Sequence, residues 1–398
     1  MIMRSEYLKQ LISFSEKQLI KVITGIRRCG KSTLLELFRD ALLANGTDGR
    51  QITAINFEDA EFEYLTERKA LYDYIKERLI PDKMNYIFLD EIQHVYEWQR
   101  TVDSLFIKKN CDVYITGSNA CLLSGELTSL ISGRYVEIKM LPLSFAEYVS
   151  TFPERSDLSR KYNSYLTNSS FPYTLVLNNP KDIRAYLDGI YSSVLLKDVV
   201  RRKKIADVSV LESVIRFMFD NIGNLCNAKK IADTLTSGGR RISVHTVEEY
   251  LSALCDSFIL YKSGRYDVKG KQYLKTGEKY YIADMGLRYY LLGAQRADMG
   301  RALENVVYLE LLRRGYDVRI GKVGSSEVDF IAVNENGTEY YQAALTVRDE
   351  NTLFRELKPL DSIRDHNSKY LLTLDEDPVT IHNGIRQINA LDWLLRSN

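Results

Sequence analysis

At 398 residues the chain is too long for one simple core, so about two to four domains are expected. A hydrophobic fraction of 45% with 27% charged residues is that of a globular protein. The net charge of +1 excludes a polycation, so any nucleic-acid surface must be local. No apolar run reaches the ~18 residues of a membrane span, and "MIMRSEYLKQLISF" lacks the apolar core and cleavage site of a signal peptide. The expectation is therefore a cytoplasmic protein with no membrane partner. Cys29, Cys111, Cys121, Cys226 and Cys255 are scattered, with no metal-ligand or redox spacing, and read as reduced thiols.

From residue 19 to 150, β-rich runs (LIKVIT, QITAINF, YIFLDE, DVYITGS, RYVEIKML) alternate with helical stretches, the pattern of a parallel α/β sheet. "VITGIRRCGKST" contains G-x-x-x-x-G-K-S from Gly25 to Ser32, after a strand and before a helix, as a P-loop requires. Gly25, Arg28, Cys29, Gly30, Lys31, Ser32 and Thr33 are the candidate nucleotide contacts. Backbone N–H groups and a helix N-terminus would wrap the phosphates. Lys31 would bridge β- and γ-phosphates, and Ser32 would ligate Mg²⁺. "YIFLDEIQ" ends a strand in Asp90 and Glu91, 59 residues after Lys31. Asp90 there reaches the Mg²⁺ shell, and Glu91 is positioned as the base that orients water. The bland alternative, an acidic pair that starts a helix, loses weight with the P-loop upstream. "DVYITGSN" ends in Thr116, Ser118 and Asn119, with Asn119 the candidate for touching the γ-phosphate. Arg134, before the next strand, is a candidate arginine finger in cis or from a neighbouring copy, and the latter would imply a homo-oligomer. Cys29 reads as a small spacer in the loop, and Arg27 and Arg28 as phosphate contacts or solvated surface.

Helices are expected from 143 to about 206, one of them opened by Pro180 over "KDIRAYLDGIYSSVLLKDVVRRKKI". Residues 207–268 read as three short helices and a β wing. Residues 197–241 carry ten Lys/Arg against five Asp/Glu. "NAKKIADTL" and "SVHTVEEYLSAL" suggest a helix–turn–helix with Arg240, Arg241 and His245 near the start of its second helix, a candidate DNA contact. Glu248 and Glu249 oppose that reading, and such modules also dock proteins. Farther on, strand-length runs centre on Val318, Phe330, Tyr341 and Leu372, with helices near 300–314 and 351–365.

"EVDFIAVNENGTEYYQAALTV" reads as two strands around a turn. A restriction-endonuclease-type centre holds divalent metal with a helix Glu, a strand Asp and a second strand acid, and adds a nearby Lys. Its pattern maps to Glu304, Asp329 and Gln342, with Ala344 in the lysine position. Lys322 or Lys358 could substitute from a neighbouring element. Without the lysine and with a neutral amide for an acid, the expectation is a retained scaffold without cleavage.

"GIRRCGKST", "INFED", "FLDEIQ", "TGSN" and "SGRYVEIKMLPLSFAEY" resemble the prokaryotic ATPases of the AAA superfamily whose usual C-terminal partner is domain of unknown function 4143. The likeness continues through "LENVVYLELLRRGYDV", "EVDFI" and "KYLLTLD". It implies an AAA-type P-loop domain (1–143), a helical lid (144–206), a winged-helix segment (207–268) and a restriction-endonuclease-like α/β domain (269–398). ATP and Mg²⁺ follow as cofactors. The functions to separate are an ATPase acting on nucleic acid or an associated partner, an ATP-regulated nuclease, and a slow nucleotide switch that docks a protein. A small-molecule kinase is a distant fourth.

Overall fold

In the computed structural model, residues 2–123, 131–154, 156–193, 199–200, 205, 207–270, 272–293 and 298–396 are described. The chain divides into two units: Met1–Pro142 with Asp256–Phe258, and Leu143–Cys255 with Ile259–Asn398.

The first unit is built on five parallel strands, β1 (Ile20–Thr24), β2 (Ile52–Asn56), β3 (Asn85–Asp90), β4 (Cys111–Gly117) and β5 (Tyr135–Lys139), in the order β2-β3-β4-β1-β5. Burial follows that order. The central strands IKVIT and NYIFLD are buried at every position, as strands covered on both faces must be, while the edges β2 and β5 are mostly half-exposed. The helix Lys31–Ala44 buries Leu34, Leu35, Phe38 and Leu42, and Phe38 packs against Phe88 and Tyr114. Beside these rings lies a fully buried ion pair, Lys21–Asp112. Burial pulls the Lys21 ammonium down, partly offset by Asp112.

The second unit centres on an eight-stranded mixed sheet. Its strands are β6 (Leu260–Asp267), β7 (Gln272–Ile282), β8 (Asp317–Val323), β9 (Ser326–Asn334), β10 (Gly337–Ala344), β11 (Ser368–Thr373), β12 (Thr380–His382) and β13 (Ile385–Asn389). They lie in the order β12-β13-β11-β10-β9-β8-β6-β7. The helix Met299–Arg313 packs across this sheet, where Tyr308 stacks on Tyr281 with ring centres 4.0 Å apart. Helices Val208–Asp220, Ala228–Ser237 and Val244–Asp256 precede the β6–β7 hairpin. That hairpin is part of the eight-stranded sheet. β6 pairs in parallel with β8 through Arg265↔Ile320, so a boundary at 268/269 would split the β6–β7 hairpin and detach β6 from its sheet.

Of the span 144–206, the helices Phe145–Val149, Leu158–Asn168 and Pro180–Ile190 are described. The basic run 201–204 and Lys197 lie outside the described residues. Buried Asp284 caps the helix Met285–Leu292 and accepts from the Ser170 N–H and hydroxyl, both at 2.6 Å, which ties the preceding helical span to the end of β7.

Candidate nucleotide site and a second acidic centre

β1 ends at Thr24, and the chain turns through Gly25–Gly30 into the helix that begins at Lys31. Gly25 has φ +150°, and a Cβ there would lie 2.1 Å from the Met140 carbonyl oxygen, so only glycine fits. Gly30, at φ +103°, is the left-handed residue from which the helix starts. The first helical hydrogen bond joins the Leu34 N–H to the Gly30 oxygen, so the N–H groups of Lys31, Ser32 and Thr33 precede the ladder at the positive helix end. Lys31 is 4% exposed; its ammonium meets the Gly25 carbonyl at 3.2 Å and Glu91 at 3.4 Å.

The acidic pair sits at the carboxyl end of β3, separated from the P-loop strand only by β4. One hydroxyl organises it: Thr116 Oγ1 donates to Asp90 Oδ1 at 2.5 Å and accepts the Glu91 N–H at 2.8 Å. That second bond holds Glu91 at φ +55°, a conformation few non-glycine residues adopt. Burial pushes the Asp90 carboxyl up, partly offset by hydrogen bonds from Ser32 and Thr116. Burial also pushes Glu91 up, but Lys31 with donors on Gln93 and Ser118 outweighs it and holds Glu91 below its usual range. The cluster thus brings together Lys31, Ser32, Asp90 and Glu91. Arg28 and Ser32 are exposed, Thr33 is half-buried, and Arg27 pairs with Glu58. Cys29 is fully buried, and burial raises its thiol, consistent with a spacer.

Thr116 on β4 and Ser118 just past its end engage the acidic pair, and the next residue, Asn119, accepts the Leu122 N–H with its carbonyl. One expectation changes. Arg134 is at the wrong end of the sheet. Its carbonyl accepts the Ile20 N–H at the amino end of β1, whereas the P-loop follows the carboxyl end, roughly 13 Å away along the strand. Its guanidinium pairs with Asp103 and lies over the Phe106 ring, so it does not reach the phosphates of its own chain. Gln93 carried no sequence signal beyond its nearness to Glu91.

In the second unit the nuclease-like residues do converge, though around an unforeseen lysine. Lys279 on β7 contacts Glu304 at 3.0 Å and Glu327 at 2.7 Å, and its side chain is 6% exposed. Tyr281 Oη donates to Glu304 at 2.8 Å. Burial pulls the Lys279 ammonium down, but Glu304, Asp329 and Glu327 together outweigh it and raise it. Asp329 Oδ2 accepts the Ala343 N–H at 2.9 Å; burial, then Glu304, pushes its carboxyl up to about 8. Gln342 is already engaged: Nε2 donates to Glu356 at 2.9 Å and Oε1 accepts the Asp329 N–H at 3.2 Å. Among the described residues, no group of three His, Cys, Asp or Glu is arranged to hold a metal ion. Lys358 is exposed on the helix Glu350–Asp361, and it is Lys279, not Lys322 or Lys358, that contacts Glu304.

Arg240, Arg241 and His245 are exposed. Arg240 donates to the Ser209 carbonyl at 2.5 Å, and His245 lies 3.7 Å from Glu249 on the same helix face. Ser243 caps that helix by accepting the Thr246 N–H at 3.0 Å.

Fold and loop together define an AAA-type P-loop ATPase domain, and residues 17–149 match the family model described as AAA domain. Residues 159–298 match a domain of unknown function, DUF8612, in place of the domain 4143 that the resemblance suggested. An uncharacterized protein of Haemophilus influenzae is 42% identical over 400 residues, covering 100% of this chain and 99% of that one, and this chain belongs to its family. The uncharacterized protein MJ1544 of Methanocaldococcus jannaschii is 29% identical over 371 residues, 87% of this chain and 79% of that one. The Walker-type ATPase PABY2304 of Pyrococcus abyssi has a similar fold, with a TM-score of 0.51 at 15% identity, over 73% of this chain and 96% of that one. No helix among the described residues is long and apolar enough to cross a membrane.

Proposed function

We propose that this protein is a Mg²⁺-dependent ATPase that couples its nucleotide state to action on nucleic acid or on a nucleic-acid-associated partner. The observation that carries the reading is the buried contact of Lys31 with Glu91, beside Asp90 and at the mouth of the P-loop. In this reading the loop N–H groups and Lys31 bind the phosphates, and Thr116 and Ser118 keep the two carboxylates in place. Glu91, once Lys31 turns to the phosphates, accepts a proton from water through Oε2 or Oε1. Asp90 and Ser32 offer only oxygen donors, a set that suits a hard cation. When bound there, Mg²⁺ would neutralise charge on the phosphates.

The nucleic-acid half rests on the exposed Arg240, Arg241 and His245 around a capped helix that is followed by the β6–β7 hairpin. In this reading those helices and the hairpin act as a winged helix. Nuclease chemistry is disfavoured by the ammonium of Lys279 lodged against Glu304 and Glu327, and by the engaged amide of Gln342.

The test is ATP turnover by the purified protein, with and without single-stranded, duplex and branched DNA and RNA, the nucleic acid being followed in the same tubes. The expected result is Mg²⁺-dependent turnover that nucleic acid stimulates and no strand cleavage. Turnover that no nucleic acid changes would move the reading to a nucleotide switch with a protein partner, and divalent-dependent cleavage lost in Asp329→Ala would restore the nuclease.

A further inference from the structure

The P-loop is held from behind by a residue that its motif does not contain. Arg4 stands at the head of the helix Ser5–Phe14 and is 2% exposed. Its Nη1 donates to the Cys29 carbonyl at 2.8 Å and its Nη2 to the Leu141 carbonyl at 2.7 Å. The guanidinium also lies 5.0 Å from the centre of the Tyr7 ring, and Tyr7 Oη accepts the Leu141 N–H at 3.0 Å. Leu141 thus has both its backbone groups bound by this one helix. The neighbouring Met140 N–H donates to Thr24 at 2.7 Å, and Pro142 is the last residue before the chain enters the second unit.

The bond to Cys29 has a directional consequence. In a trans peptide the C=O and the following N–H point opposite ways. Anchoring the Cys29 oxygen towards Arg4 therefore turns the Gly30 N–H away from Arg4. Gly30 precedes the helix whose free N–H groups form the anion-binding end; its own carbonyl is held by the Leu34 N–H, so the peptide left for Arg4 to fix is the one on its amino side, Cys29–Gly30. A guanidinium suits this task because its planar fork reaches two carbonyls at once, which a lysine ammonium on a flexible stem does poorly.

We propose that Arg4 is a positioning residue for phosphate binding. It fixes the Cys29–Gly30 peptide so that the Gly30 N–H faces the phosphate, and it ties that peptide to the segment through which the chain leaves the P-loop unit. The inference rests on the ATP reading above and adds to it a residue outside the motif.

The experiment measures Mg·ATP binding by calorimetry and turnover kinetics for the wild type, Arg4→Met, Arg4→Lys and Lys31→Ala, with urea midpoints taken without nucleotide. Arg4→Met should raise Kd and KM about tenfold, with kcat changing much less. Arg4→Lys, which keeps the charge and one donor direction, should recover part of that loss. Hydrogen exchange of the peptide spanning Gly30 should lose its nucleotide-dependent protection in Arg4→Met while the β3 and β4 peptides keep theirs. If Arg4→Met does not fold, Arg4→Lys carries the test through the same Kd and exchange readouts. Wild-type affinity and protection in the folded Arg4 variants, alongside a defective Lys31→Ala, overturn this inference alone. Absence of Mg·ATP binding by the wild type overturns the ATP reading and this inference with it.

Discussion

Lys279→Met removes a cation that contacts two carboxylates, Glu304 and Glu327, in the second unit. At an effective dielectric constant of about 20, each pair near 3 Å has a raw attraction of about 5 kcal/mol, from which the desolvation of a nearly buried ammonium subtracts several. The variant keeps the stem packing but leaves the Glu304 carboxylate without its cation, and truncating one member of a buried pair costs about 3–5 kcal/mol. Glu327 is 30% exposed and can turn to solvent, so about 3 kcal/mol at neutral pH is the expected loss. The sign with pH follows from Asp329. Its carboxyl is raised to about 8 even beside Lys279, so without that cation it resists ionisation further. The penalty should therefore stay level between about pH 5 and 7 and grow as pH rises towards about 9. Urea unfolding monitored by circular dichroism at these pH values reads it directly, and Lys279→Met/Glu304→Gln should recover part of the loss. A single variant within about 0.5 kcal/mol of the wild type at pH 8, a change typical of an ordinary surface site, would refute the reasoning.

Glu91→Gln should keep Mg·ATP affinity within a few-fold, since Lys31 turns to the phosphates when nucleotide binds, and lower kcat about a hundredfold or more in steady-state turnover, because it removes the proton acceptor. Arg134→Ala should leave turnover within about twofold of the wild type across a dilution series and cost at most about 1 kcal/mol in urea unfolding, since the half-exposed pair with Asp103 lies at the far end of the sheet.

The parts of the site that were legible in the sequence are those whose geometry is local. Gly25 to Ser32 encode their own turn and helix start, and Asp90–Glu91 declare themselves by ending an apolar strand. Where strand order decides, the sequence was silent. Arg134 falls near a strand in sequence, but the parallel pairing of β1 with β5 sends it to the amino end. Thr116 on β4 and Ser118 just past it both meet the acidic pair, contacts that the run of polar residues after the strand did not apportion. Lys279 lies 25 positions before Glu304 and meets it only because the β6–β7 hairpin joins the sheet that the helix Met299–Arg313 crosses. Arg4 is likewise 25 positions from Cys29 and 137 from Leu141, with no motif to mark it. The two strands around Asp329 and Gln342 formed about a turn, as the run reads, and what the sequence could not tell was that Gln342 would be spent on Glu356.

The central claim, that the Lys31–Glu91–Asp90 cluster binds Mg·ATP, is tested most directly by calorimetric titration of Mg·ATP into the wild type and Lys31→Ala at matched protein concentration. The account predicts saturable binding by the wild type and at least a tenfold loss in Lys31→Ala, about 1.4 kcal/mol or more. No binding by the folded wild type, or equal binding by both, would contradict it.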